Sequence, residues 1–142
     1  MPARKILIAS DHAGFETKEK LKSAIKEVEF IDLGPKDTIS VDYPDFAKKL
    51  CQELLTTGLE GILICGSGQG MAIQANRFKG IRAALCWNPE IAKLSREHNN
   101  SNVLCLASRA IDENTNIEIS KTWLHTPFLG GRHQNRVEKI DK

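Results

Sequence analysis

Gly61-Ile62-Leu63-Ile64-Cys65-Gly66-Ser67-Gly68-Gln69-Gly70-Met71 is the stretch on which the fold turns. A short apolar run, residues 62–64, ends abruptly in one thiol and three alternating glycines. Such a run reads as a buried strand that empties into a tight turn and then a helix. The turn gathers backbone N–H groups, a hydroxyl and a thiol at one point. That set holds an anion and attacks or deprotonates something beside it. A tight turn with a buried cysteine is the plainer reading of the same residues.

On either side of this stretch the same grammar repeats. Residues 5–10 form a continuous apolar strand of the type buried on both faces of a parallel sheet. Leu21, Ala24, Ile25 and Val28 follow at helical spacing among lysines and glutamates. Residues 28–33 read as a second strand, stopped by Gly34-Pro35. Pro44 suits a first helical position, and Phe46, Leu50, Cys51, Leu54 and Leu55 line one face of the helix it opens, which Gly58 closes. Beyond the central stretch, a third helix is predicted from Gln69 to about Phe78 and a fourth strand over 81–86. Asn88-Pro89-Glu90 has the order of a helix start, and that helix fades at His98-Asn99-Asn100. Residues 103–107 give a fifth strand. Asp112 to Thr115 caps the next helix, Thr126-Pro127 stops it, and a turn at Gly130-Gly131 leads into a short final helix. Strand and helix alternate with short connections, which demands a three-layer, doubly wound (Rossmann-like) α/β fold: a five-stranded parallel sheet with helices on both faces. No repeat or linker divides the chain, so residues 1–142 are read as one domain.

Composition narrows the function classes. Lys+Arg 20 against Asp+Glu 18 leaves no basic field to drive binding to nucleic acid or to a membrane surface. No stretch approaches the length of a membrane span, and the N-terminus carries no signal-peptide apolar region. Cys51, Cys65, Cys86 and Cys105 lie far apart with no CxxC pair. That argues for reduced thiols in a cytoplasmic protein, against a disulfide frame or a metal site.

In a doubly wound sheet the ligand site lies beyond the carboxyl ends of the strands. Asp11 and His12 follow the first strand, Cys65 and Ser67 the third, and Ser108-Arg109 the fifth, with Tyr43 between the second strand and its helix. His98 and Asn99 end a helix that runs antiparallel to the strands, so they are expected at the opposite edge. If they serve the chemistry, a second subunit is the simplest way to bring them in; otherwise His98-Asn99-Asn100 is a polar helix end. Arg132 and Arg136, spaced i, i+4 with His133 beside them, suit a phosphate monoester. A solvated basic tail reads the same way. The Gly-rich turn lacks the third glycine position and the following acid of a dinucleotide fingerprint, and it lacks the Gly-Lys-Ser/Thr of a Walker loop. Met71 stands where a cysteine-dependent phosphatase needs arginine.

Five segments then occur in order: Ser10-Asp11-His12-Ala13-Gly14-Phe15, Asp42-Tyr43-Pro44, Ile64-Cys65-Gly66-Ser67-Gly68-Gln69-Gly70, Arg96-Glu97-His98-Asn99, and Gly130-Gly131-Arg132-His133-Gln134-Asn135-Arg136-Val137. With these the chain resembles the type B ribose-5-phosphate isomerases and their sugar-phosphate isomerase relatives, which include the galactose-6-phosphate isomerase subunits. The resemblance implies sheet order 2-1-3-5-4. It also implies cofactor-free and metal-free interconversion of ribose 5-phosphate and ribulose 5-phosphate, and a homodimer or homotetramer with sites at the subunit interface.

Residue by residue, the resemblance implies Cys65 as the base that moves a proton between C2 and C1 through an enediolate. Some relatives use a glutamate further along this turn; here the cysteine is present and Met71 follows the last glycine. Ser67 assists ring opening or polarises a hydroxyl, and His98 from the partner opens the furanose ring. Asn99 and the N–H groups around Gly66, Gly68 and Gly70 stabilise the enediolate. Asp11 and Tyr43 hold sugar hydroxyls. His12, Arg109, Arg132 and Arg136 anchor the phosphate with His133 near. The competing readings are an isomerase for allose or galactose 6-phosphate, a non-catalytic sugar-phosphate-binding protein, and a thiol redox protein that would need a resolving cysteine near Cys65.

Overall fold

The computed structural model describes residues 3–142. Its strands are β1 (Arg4–Ser10), β2 (Val28–Asp32), β3 (Glu60–Cys65), β4 (Ala83–Leu85) and β5 (Val103–Ala107). They form one parallel sheet in the order β2-β1-β3-β5-β4, as the resemblance implied. The helices are α1 (Phe15–Ala24), α2 (Tyr43–Thr57), α3 (Gln69–Ala75), α4 (Pro89–Glu97), α5 (Glu113–His125) and α6 (Arg132–Glu138). None is long and apolar enough to cross a membrane.

The period of two along each buried strand sorts the core into two layers. Ile6, Ile8, Ile62, Ile64, Leu104 and Leu106 face Leu21 of α1, Ala92 of α4 and Ile119 and Trp123 of α5. Leu7, Ala9, Leu63, Cys65 and Cys105 face Leu50, Cys51 and Leu54 of α2 and Met71 and Ala75 of α3. Cys65 therefore points into the α2–α3 side, at the last position of the middle strand. A buried charge completes the packing of α1: Lys18, fully buried, donates to Asp32 at 2.6 Å. Burial works against the Asp32 carboxylate, yet the bonds from Lys18 and Lys22 and the Gly34 N–H prevail and hold its pKa below the usual range.

Two elements are shorter than their sequence predicts. The third helix ends at Ala75, and residues 76–78 close it with tighter turns, Arg77 N–H to Gln74 O and Phe78 N–H to Ala75 O. The fourth strand is reduced to Ala83–Leu85 because side-chain amides take its first backbone donors. Asn102 Oδ1 accepts the Arg82 N–H at 2.7 Å, and Asn76 Oδ1 accepts the Ala83 N–H at 2.8 Å. Pairing by hydrophobic run alone misses such a substitution.

Candidate active site

Register brings the polar ends of three strands together. Ser10 pairs with Ile64, and Cys65 with Ala107. The chain continues from each pair: the Asp11 N–H donates to Ile64 O at 3.2 Å, and the Ser108 N–H to Cys65 O at 2.9 Å. Arg109 N–H then reaches Gly66 O at 2.9 Å, so the loop after β5 runs along the Gly-rich turn. Asp11, Cys65 and Arg109 thus share one edge of the sheet because three parallel strands end in step.

Close packing explains the glycines. A Cβ on Gly14 would lie 2.5 Å from the Ile64 carbonyl oxygen, so only glycine lets the start of α1 approach β3. A Cβ on Gly70 would lie 2.5 Å from the Tyr43 ring, which covers the first turn of α3. Gly68 has φ 77, a left-handed conformation that turns the chain into α3. Ser67 is exposed on this turn, and its hydroxyl accepts the Gln69 N–H at 3.4 Å.

The remaining side chains are tethered to this frame. Asp11 is buried, and its Oδ1 accepts the Gly14 N–H at 3.0 Å. His12 Nδ1 lies 3.1 Å from Val41 N and 3.2 Å from Val41 O, which ties the loop after β1 to the segment before α2. The sequence reading gave no role to Ser108. Its hydroxyl donates to Ala13 O at 2.9 Å and lies 3.2 Å from Cys65 O, joining the ends of all three strands. Its signal in the sequence is its place as the first polar residue after β5.

The other predicted residues lie elsewhere in the same chain. His98 caps α4 beside the amino end of β4, where Asn100 O accepts from Arg82 Nε at 2.7 Å. The His133 ring stacks on His98 with centroids 4.2 Å apart and planes 13° from parallel. His98, Asn99, His133, Arg136, Val137 and Ile140 line one cleft. Arg132 and Arg136 are exposed on α6, which buries no residue. Desolvation, the neighbouring His98 and the cations of Arg132 and Arg136 hold the His133 pKa below its ordinary value. His12 and Arg109 therefore stand at the carboxyl edge, and Arg132 and Arg136 at the opposite one.

The four cysteines divide. Burial pushes the Cys51 thiol up to about 12. It pushes Cys86 up to about 11 against its hydrogen bond with Ser95, and raises Cys105 well above the ordinary value. Those three are core packing, as their apolar settings in the sequence suggest. Cys65 alone stands where a strand opens into a polar edge.

Residues 6–140 match the Ribose/Galactose Isomerase family. Ribose-5-phosphate isomerase B of Escherichia coli K12 is 43% identical over 142 residues, covering 96% of this chain and 94% of that protein. A crystal structure of a ribose 5-phosphate isomerase from Thermotoga maritima is 52% identical and superposes with a TM-score of 0.94, covering 97% of each chain. That of ribose-5-phosphate isomerase B from Mycoplasma genitalium, with bound ribulose-5-phosphate, is 41% identical with a TM-score of 0.93, covering 99% of this chain and 95% of the other. The motifs, the strand order and these likenesses agree: the chain belongs to the ribose/galactose isomerase family.

Proposed function

We propose that this chain interconverts ribose 5-phosphate and ribulose 5-phosphate, at a site completed by His98, Asn99 and the arginines of a second copy. The observation that carries the reading is Cys65: it is the one thiol at the polar end of a strand, flanked by Asp11 and the Ser108–Arg109 loop. The Mycoplasma genitalium relative with bound ribulose-5-phosphate gives the substrate class.

The chemistry follows from the groups. His98 of the second copy assists opening of the furanose by moving a proton from the anomeric hydroxyl to the ring oxygen. The Cys65 thiolate takes the proton on C2 of the open aldose. The electron pair of that C–H bond forms the C1–C2 double bond, and the charge collects on O1 as an enediolate. Backbone N–H groups around Gly66 to Gly70 and Asn99 stabilise it, and one such donor contributes about 2.7–4 kcal/mol. Cys65 returns the proton to C1, and the hydroxyl proton on O2 ends on O1 with Ser67 beside it, which leaves the ketone at C2. Asp11 and Tyr43 hold sugar hydroxyls. His12, Arg109, Arg132, His133 and Arg136 anchor the phosphate, whose binding energy positions carbons remote from it.

The deciding experiment measures isomerisation of ribose 5-phosphate, in EDTA, by wild type and Cys65→Ala. Turnover by wild type and a loss of about 10²-fold or more in the variant is the expected result for a positioned base. Undiminished turnover by Cys65→Ala would remove the thiol from the mechanism. No turnover by wild type would move the substrate to hexose 6-phosphates.

A further inference from the structure

His98 and Asn99 sit in the loop 98–101, beyond the last turn of α4, and Asn100 within it takes a left-handed φ of 48. Something must hold such a loop to a fixed geometry if its side chains are to meet a substrate, since a displacement of about 1 Å costs about 10²-fold in rate. Neither His98 nor Asn99 makes a side-chain hydrogen bond among the described residues. The restraint comes from Arg96, two residues before His98. Arg96 is buried on the inner face of α4, beside Ala92 and Ser95.

Its guanidinium is spent in three directions. One terminal nitrogen donates both to Ser101 O, at the far end of the loop, and to Glu60 Oε2 at the start of β3. Nε donates to Thr126 O, at the end of α5, at 3.0 Å. The plane lies over Trp123, 4.6 Å from the ring centroid. Trp123 Nε1 in turn donates to Ser101 Oγ at 2.8 Å, and Ser101 Oγ meets Ser95 Oγ at 2.9 Å. Both ends of the loop are therefore pinned to one buried cation. The segment after Thr126 is drawn in as well: Leu129 N–H donates to Glu97 O at 3.2 Å, just before α6 presents His133 to His98.

We infer that Arg96 is a positioning residue, which with Glu60 and Trp123 sets the placement of His98 at the active site. This rests on the isomerase reading given above. A planar, five-donor fork suits the task and an ammonium does not. Lysine in its place can keep the charge opposite Glu60 but cannot bridge Ser101 O and Thr126 O while stacking on an indole. The loop would stay folded and lose its aim.

Two reactions separate aim from folding. Ribose 5-phosphate must be ring-opened before the Cys65 step. Ribulose 5-phosphate is already open, because its C5 hydroxyl is esterified, so exchange of its C1 proton with D2O needs the thiolate and the enediolate donors but no ring opening by His98. Wild type, Arg96→Lys and His98→Ala are compared for aldose-to-ketose turnover and for C1 exchange followed by proton NMR. Arg96→Lys is expected to lose turnover at least about tenfold more than exchange, matching the pattern of His98→Ala, as befits a displaced acid–base group. Equal loss of both reactions, or loss of neither, would overturn the inference. A wild type that neither isomerises nor exchanges would instead sink the isomerase reading. Should Arg96→Lys fail to fold, Glu60→Gln keeps the shape and removes the opposing charge. The same split, at smaller size, is then expected, and its absence counts against the proposal.

Discussion

Around Cys65 the strand ends are joined through backbone atoms and a few short side chains, whereas His98 stands at the end of one helix, held by the network around Arg96, and His133 and Arg136 lie on a seven-residue helix with no buried residue. At the carboxyl edge, Asp11, Cys65 and Ser108 follow consecutive strands in register, and glycine lets α1 close to van der Waals contact. At the other edge side chains carry more of the structure: a buried guanidinium, two stacked imidazoles and, at the tail, Asp141 accepting the Gly80 N–H at 2.7 Å. Proton transfer at carbon needs fixed geometry, and backbone ladders give it. Charge attraction to a phosphate tolerates more movement, and exposed arginines on a short helix suffice for it.

The largest effect is expected when the two halves are mixed. Cys65→Ala and His98→Ala are each expected to be nearly inactive. If each site joins Cys65 of one copy to His98 of another, a hybrid dimer holds one site with both lesions and one with none. Refolding the two variants together should then restore about a quarter of wild-type activity, the yield of random pairing in a twofold dimer. If a single chain supplied both residues, the mixture would stay inactive, and the two halves could not belong to two copies.

Next in size is Arg136→Ala. A charge-assisted bond contributes about 1.5–3 kcal/mol, so KM should rise by roughly 10- to 150-fold. Because Arg136 is exposed, the melting temperature should hardly move, a surface change being worth within about 0.5 kcal/mol. Gly14→Ala is its mirror image at the other edge. The new methyl would lie 2.5 Å from the Ile64 carbonyl oxygen, and overpacking of this kind costs about 1–3 kcal/mol. Denaturant titration should show that loss, and a neutral result would mean that the carboxyl edge is less rigid than its hydrogen bonds imply.

The same contrast governs what the sequence disclosed. Strand order and the pairing of Asp11 with Cys65 and Ser108 were legible because apolar runs and turn residues specify a parallel sheet, and the motifs specified its order. The position of His98 opposite Cys65 was also legible, from the direction of α4 alone. The curtailment of β4 was not, because it depends on the side chains of Asn76 and Asn102 meeting across the fold. Arg96 reads in the sequence only as part of a motif, although a cation four residues after Ala92 is a visible anomaly on a buried face. Three of its four partners, Glu60, Trp123 and Thr126, lie far from it in sequence, and no local pattern names them.

The smallest effect is the most direct probe of what the second half binds. In the free protein, desolvation and the neighbouring His98, Arg132 and Arg136 disfavour a charge on His133, so its midpoint in an NMR titration should lie below 6.5. The sign of the linkage is fixed by this. Well above 6.5 folded and unfolded chains are both neutral at His133, and the group has no effect on stability. As pH falls through that value the unfolded chain takes up its proton first, so acidification weakens the folded state until the folded midpoint is passed. Arg136→Ala removes one of the opposing cations and should raise the midpoint. Inorganic phosphate should raise it too, since a dianion held between Arg136 and His133 favours the imidazolium. If phosphate shifts the His12 resonance and leaves His133 unmoved, the phosphate belongs to the carboxyl edge alone, and the arginines of α6 are a solvated tail.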